Sequence, residues 1–394
     1  MEPFLDEREE KESEEEKEFR AYLDQKRRMR LERQRRVRKR QIQRRLLGIG
    51  ILGVLAVCIG FTVKGISGSK AGEDENPSMV QKAESAARDD KPDLAWEEEE
   101  ITEAGIRVTE PEKESFACHF AATSDTVSIS SEDVISTNAI LVDESTDTII
   151  ASKGAQERIY PASMTKVLTV LVAAEQIEKE DLDDTFTMTL DITDYAYIND
   201  CSSVGFLDGE EVTVRDLFYG TVLPSGGDAA VGLATYIAGS HEAFVDMMNV
   251  KLKELGLADS AHFTNCIGLF DENHYCTVYD MAVIMKAAIQ NELCREVLSA
   301  HIYTTVPTEM HPEGITISNW FLRRIEDKDT GGEVLCAKTG YVVQTQSCAV
   351  SYGSFAGGTP YICVTVGATS SWRCIYDHVE IYNRYVRKGL DGCP

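Results

Sequence analysis

Pro161-Ala162-Ser163-Met164-Thr165-Lys166 opens a run that keeps a helical pattern to Glu178, and its reading decides what kind of domain this is. Ser163 and Lys166 stand three residues apart, so on a helix they share one face. A serine hydroxyl is too weak an acid to attack a carbonyl unaided and needs a base beside it. A lysine that is partly desolvated, or has other cations for neighbours, titrates low enough to be that base. The start of the helix adds positive potential where an oxyanion would form. Alone, the pair also has an ordinary explanation, an N-capping serine followed by a surface lysine.

Two further segments weigh against the ordinary explanation. Leu223-Pro224-Ser225-Gly226-Gly227-Asp228 sits just before a helix of small residues, and by itself would be a helix-start turn. Ala337-Lys338-Thr339-Gly340-Tyr341 ends a strand at a turn, where an adjacent Lys and Thr can hold a carboxylate through a charge and a hydroxyl. In this order and at these separations the three segments resemble the Ser-x-x-Lys, Ser-x-Asn and Lys-Thr-Gly boxes of penicillin-binding proteins and serine β-lactamases. The neighbourhood is more specific. Cys201-Ser202-Ser203-Val204-Gly205, Phe263-Thr264-Asn265 with Gly268-Leu269, His274-Tyr275-Cys276-Thr277 and His311-Pro312-Glu313-Gly314 are similar to segments of the D-alanyl-D-alanine carboxypeptidases, peptidase family S11. The resemblance runs from about Val127 to Leu390.

The resemblance implies an α+β, penicillin-binding-protein-like transpeptidase fold, an antiparallel sheet flanked by helices with a helical lobe. It implies that Ser163 attacks the carbonyl of the penultimate D-alanine of a peptidoglycan stem peptide while Lys166 takes its proton. Ser225 would relay a proton to the leaving amine, and Lys338 and Thr339 would bind the terminal carboxylate. The Lys-Thr-Gly turn, with Gly340 and Tyr341, would complete the substrate groove, and the N–H groups of Ser163 and Tyr341 the oxyanion hole. β-Lactam antibiotics would acylate Ser163, and neither a cofactor nor a metal is implied.

The second box departs from the family pattern, with Gly227 where Asn is usual. Backbone, water or Asp228 would have to take over the work of that amide, and Gly227→Asn is expected to be neutral or to raise activity. A catalytically silent wall-binding protein is the alternative this departure raises. A β-lactamase is the other, although no Glu-x-x-Leu-Asn stretch lies between the second and third boxes.

Outside the three boxes, composition organises the chain. A net charge of −26 over 394 residues excludes a generally basic nucleic-acid binder. From Lys26 to Arg45 Lys and Arg dominate, with Glu32 the single acid, and Leu46 to Val63 is uncharged. That run is at the short end of what crosses a hydrocarbon core of roughly 30 Å, and the basic flank sets its own side cytoplasmic. The expected organisation is a charged cytoplasmic tail at 1–45, a transmembrane anchor at 46–66, an acidic extracytoplasmic stalk at 67–125 and a catalytic domain at 126–394. Many family members add a β-rich domain after the catalytic one; here the last helical pattern lies near the final residue, and the membrane attachment is expected to be N-terminal. Of eleven cysteines, Cys58 falls in the apolar run. Outside the membrane disulfides become possible, with Cys266–Cys276 the first pair expected and Cys336–Cys348 the second, while Cys363 reads as a small core residue.

Periodicity predicts a hairpin of Asn138–Val142 and Asp147–Ser152, and helices over Ser163–Glu178, Val214–Phe218, Asp228–Ala238, Glu242–Leu255, Thr277–Glu292 and Ile375–Val386. It predicts strands at Glu333–Lys338, Ser347–Tyr352 and Tyr361–Gly367. Strands at both ends with helices between predict a sheet assembled from the two ends of the domain.

Overall fold

The computed structural model describes residues 119–387. The tail, the apolar run and nearly all of the stalk lie outside the described residues. Among those described, no helix is long and apolar enough to cross a membrane.

Along Asn138–Val142 every residue is buried, yet neighbours go to different places: Ile140 and Val142 join one apolar cluster, Ala139 and Leu141 another. Period-two alternation on a strand covered on both faces produces this split. The strands β1 (Ala121–Ser128), β2 (Asn138–Asp143), β3 (Thr148–Lys153), β4 (Gly332–Val342), β5 (Gln346–Phe355) and β6 (Thr359–Ala368) form one sheet in the order β1-β3-β2-β6-β5-β4. As the sequence predicts, strands from both ends meet at its centre, where Asn138 pairs with Val366 and Asp143 with Tyr361. The β2–β3 turn is held by Asp143, whose Oδ1 accepts from the N–H groups of Ser145 at 2.9 Å and Thr146 at 3.3 Å, an Asx turn.

The sheet is mixed, where a purely antiparallel one is expected from the sequence. β1 runs parallel to β3 at the edge, with a register break between Ala122 and Val127, and begins at Ala121, ahead of the boundary expected at 126. The reason is topological. The chain reverses through residues 129–137 before entering β2, so β1 opposes β2 and runs with β3.

The helices α1 (Lys166–Ala174), α2 (Leu190–Ile198), α3 (Val214–Val222), α4 (Gly227–Ala238), α5 (His241–Glu254), α6 (Val278–Gln290) and α7 (Glu292–Ser299) build the lobe on one face. All nine residues of α1 are buried, α6 lies on β2, β5 and β6, and α8 (Ser371–Ile381) covers β5 and β6 from the other side. Capping fixes several starts: Thr213 with Asp216 and Thr277 with Asp280 form reciprocal boxes ahead of α3 and α6, each satisfying two otherwise orphan N–H groups.

Several elements differ from expectation. The helix expected over Ser163–Glu178 is a 3-10 turn, Ala162–Thr165, followed by α1, which ends by Glu175. α2, α7 and two small sheets (Thr185–Thr187 with Glu211–Thr213, and Ile302–Thr304 with Thr316–Ser318) were not foreseen. α8 begins at its Ser370 cap and widens into a π-turn over Tyr382–Arg387.

The expected disulfides are absent among the described cysteines, all eight of which are thiols. Cys336 stands opposite Tyr352 while Cys348 stands opposite Gly340, so register holds that pair apart. Cys276 bridges to Ile159, whereas the Cys266 thiol lies 3.7 Å from the Ala230 carbonyl. Cys363 is a buried core residue of β6, as expected.

Asp377 on α8 ties the two ends of the domain together. Its fully buried carboxylate accepts from Ser136 N at 2.8 Å, Ser136 Oγ at 2.6 Å and Ile135 N at 3.3 Å, and Arg373 lies 3.1 Å away. Asp377→Ala leaves these buried donors without their acceptor. We expect it to lower stability by about 3 kcal/mol, read as a lower denaturation midpoint at unchanged slope in urea unfolding of the purified protein.

Candidate active site

Ser163 sits in the tight turn before α1, and the residue ahead of it, Ala162, has a φ of +49°. A non-glycine residue in the left-handed region costs energy and persists only where its surroundings enforce it. The turn presents the half-buried Ser163 hydroxyl at the head of α1, with Lys166 in the next turn. Lys166 Nζ lies 3.0 Å from Ser163 Oγ and donates to the Ile267 carbonyl at 2.7 Å. The lysine is 1% exposed. Burial brings its pKa down from 10.5 to about 8, against the opposing pull of Cys201, Cys266 and Asp228. A desolvated amine disfavours its charged form, so the neutral base is accessible near physiological pH.

The second and third segments meet on the other side of the serine. Ser225 is another non-glycine residue with positive φ, +60°. Its Oγ accepts from Lys338 Nζ at 2.9 Å, and the same amine donates to the Thr339 carbonyl at 2.8 Å. Lys338 is 2% exposed, and burial, then the nearby charge of Lys166, hold its pKa well below the usual lysine range. Strand alternation puts Gly340 on the same face as Lys338. A Cβ at Gly340 would lie 2.9 Å from Ser163 N and 3.0 Å from the Ala162 Cβ, so β4 can run this close to the nucleophile's backbone only with glycine there. Thr339 is half-buried, and Tyr341 at the strand end is 65% exposed. Ser163, Lys166, Ser225, Lys338 and Gly340 thus form one constellation, with Thr339 and Tyr341 along its rim.

Gly227 departs from expectation. It is the first residue of α4, fixed by its N–H donating to the Ser202 carbonyl at 2.7 Å. A Cβ there would meet the Cys201 Cβ at 2.9 Å and the Cys201 sulfur at 3.5 Å. The room an asparagine would need belongs to Cys201. Nor does Asp228 stand in for the amide: its buried carboxylate is taken up by the N–H groups of Val204 and Gly205, both at 2.9 Å, and of Ala229 at 3.0 Å. The neutral or raised activity expected for Gly227→Asn therefore meets a steric conflict.

Sequence reasoning also missed the Ile267 carbonyl. The segment Phe263-Thr264-Asn265 with Gly268-Leu269 carries part of the resemblance, but a backbone acceptor has no side-chain signature to reveal it.

Among known proteins, a family model described as D-alanyl-D-alanine carboxypeptidase matches residues 125–370. The D-alanyl-D-alanine carboxypeptidase DacF of Bacillus subtilis is 37% identical over 155 residues, 39% of this chain and 39% of that protein. The D-alanyl-D-alanine carboxypeptidase of a Streptomyces species, strain K15, is 30% identical over 237 residues, 57% of this chain and 78% of that one. The match thus spans about two fifths of the length of the Bacillus relative. Among solved structures, the crystal structure of the Streptomyces K15 DD-transpeptidase superposes with a TM-score of 0.58 at 26% identity, covering 64% of this chain and 96% of that one. The fold expected from the sequence is that fold, with a mixed rather than purely antiparallel sheet.

Forcing a side chain in at position 227 overpacks the α4 start, which typically costs about 1–3 kcal/mol. Gly227→Asn is expected to lower the thermal unfolding midpoint by several degrees, and adding Cys201→Gly to recover most of the loss, both read by differential scanning calorimetry.

Proposed function

The chain belongs to the D-alanyl-D-alanine carboxypeptidase family, and from that premise we propose that it removes the terminal D-alanine from D-Ala-D-Ala stem peptides of peptidoglycan through an acyl-enzyme on Ser163. The observation that carries the reading is the convergence of two short amine–hydroxyl contacts, Lys166 with Ser163 and Lys338 with Ser225, against the Gly340 backbone.

The steps follow from these groups. Neutral Lys166 takes the Ser163 proton as Oγ adds to the penultimate D-alanine carbonyl, whose oxygen becomes an oxyanion facing the N–H groups of Ser163 and Tyr341. Such preorganised donors stabilise charge that develops in the transition state. Collapse of the adduct breaks the peptide bond, and Ser225 hands its proton to the departing D-alanine nitrogen while taking up the one that Lys166 holds, which returns Lys166 to the neutral amine. Lys338 and Thr339 hold the D-alanine carboxylate, which supplies the counter-charge that burial otherwise denies Lys338. Water then adds to the ester with Lys166 again as base, and Ser163 is released. A β-lactam presents a similar carbonyl and carboxylate and would stop at the ester, which makes such drugs covalent inhibitors.

We further propose that the protein is held at the cell membrane by residues 46–66, with the cytoplasmic side marked by the basic block before it and the catalytic domain facing outward. The support is the uncharged run following directly on Lys26–Arg45.

Three measurements test this reading. Ser163→Ala should abolish both D-alanine release and the penicillin adduct seen by intact mass; an adduct on the purified variant would place the nucleophile elsewhere. Because Lys166 must be neutral to act, and burial puts its pKa at about 8, acylation should be fast above that pH and fall as pH drops through it, nearing tenfold per unit. A rate flat from pH 6 to 9 would remove Lys166 as base. Protease added outside intact cells should digest the catalytic domain while the N-terminal 45 residues stay protected, and protection of the catalytic domain would overturn the topology.

A further inference from the structure

A buried amine that works as a base must be aimed as well as desolvated. One partner of Lys166 is Ser163; the other is the Ile267 carbonyl, 2.7 Å from Nζ and 3.4 Å from Ser163 Oγ. That carbonyl is held by a built loop. Asn265, 5% exposed, gathers three N–H groups on its Oδ1: Ile267 at 3.2 Å, Gly268 at 2.7 Å and Leu269 at 2.9 Å. Its Nδ2 returns a bond to the Leu269 carbonyl at 3.1 Å. Gly268, with φ +82°, presses the loop so tightly onto the nucleophile's turn that a Cβ would lie 1.8 Å from the Ala162 carbonyl oxygen.

The loop is also fastened to α1 and to the turn before it. Thr264 N donates to His274 Nδ1 at 3.0 Å, so the proton sits on Nε2, which donates to Thr165 Oγ1 at 2.8 Å. Burial lowers the His274 pKa to about 3, which keeps the ring neutral and this direction of donation constant. Thr169 Oγ1 donates to the Cys266 carbonyl at 2.7 Å. The helix that carries Lys166 and the loop that carries its acceptor are thus joined on both sides of the contact.

We propose that Asn265 is a positioning residue for Lys166: by collecting the loop's N–H groups it turns the Ile267 carbonyl onto the amine and fixes the angle from which that amine meets Ser163. The inference rests on Lys166 being the base, as proposed above. The carbonyl bonds the ammonium more strongly than the amine, so it also supports the charged form. The other charged or titratable groups around this amine are Asp228 from α4, Cys201 from the segment after α2, Cys266 and His274 from the loop region, and Lys338 from β4.

The test is the rate of acylation by a fluorescent penicillin, per titrated active site and as a function of pH, in the full chain and in two variants. Asn265→Ala releases the loop; it should slow acylation per site roughly tenfold or more and move the acid-limb midpoint below that of the unsubstituted protein. Asn265→Asp keeps an oxygen to accept the three N–H groups but adds a carboxylate near the amine. It should stay within about threefold in rate while its midpoint moves up. If Asn265→Ala does not fold, Asn265→Ser, whose shorter side chain cannot collect all three N–H groups, replaces it with the same slower rate and lower midpoint expected. A midpoint unchanged in the folded alanine or serine variant, whatever its rate, is what a purely structural loop gives and overturns the proposal. An unsubstituted protein that forms no adduct at all overturns the acyl-enzyme reading first, and this inference with it.

Discussion

An ammonium enclosed by protein loses its hydration, a penalty of several kcal/mol unless it is paired or becomes neutral. Lys166 moves toward the second, its pKa brought down to about 8, and the rest of the site is arranged around that fact. Its low pKa requires burial, burial requires α1 to be enclosed along its whole length, and that enclosure comes from helices α3 to α7 around it, while the turn before it packs on β4 and β5. The hydroxyl of Ser163 and the carbonyl of Ile267 hydrogen-bond the amine directly. A base built in this way is inseparable from the hydrophobic core around it.

β4 forms the opposite wall, and its period-two alternation determines what the wall offers. Lys338 and Gly340 face the nucleophile, one supplying an amine to Ser225 and the other an absence of bulk. Ala162 and Ser225, the two non-glycine residues at the site with positive φ, flank the reacting position from separate segments. Each such residue costs on the order of 1–3 kcal/mol, compensated by the packing and hydrogen bonds that hold the two turns.

The three boxes were legible because each places its chemistry within a few residues, where spacing alone fixes which groups share a face. The β2–β3 hairpin and strands β4 to β6 were legible for the same local reason. α2 was not, because Asp191, Thr193 and Asp194 interrupt its apolar pattern and few of its residues turn inward. α7 was lost because Asn291, which caps it, follows directly on α6 and disguises two helices as one. The parallel pairing of β1 has no local signature, since a strand's sequence does not tell which way its neighbour runs. Cys201 filling the space beside Gly227 is a contact across a loop, invisible to any motif, and the Ile267 carbonyl is main chain.

The centre of the sheet joins β2 to β6, so Asn138 waits for Val366. A chain emerging from synthesis makes its nucleophile early and the strand that backs it late. Pairing across so much sequence has a large loop-closure cost, and topologies of this kind fold slowly. Until β5 and β6 arrive, β4 has no partner strand to hold Lys338 and Gly340 against Ser163, and β2 presents an unpaired edge. Competence and protection from aggregation therefore come at the same moment, at the end of folding, and a chain cut short before Thr359 would carry all three boxes without becoming an enzyme.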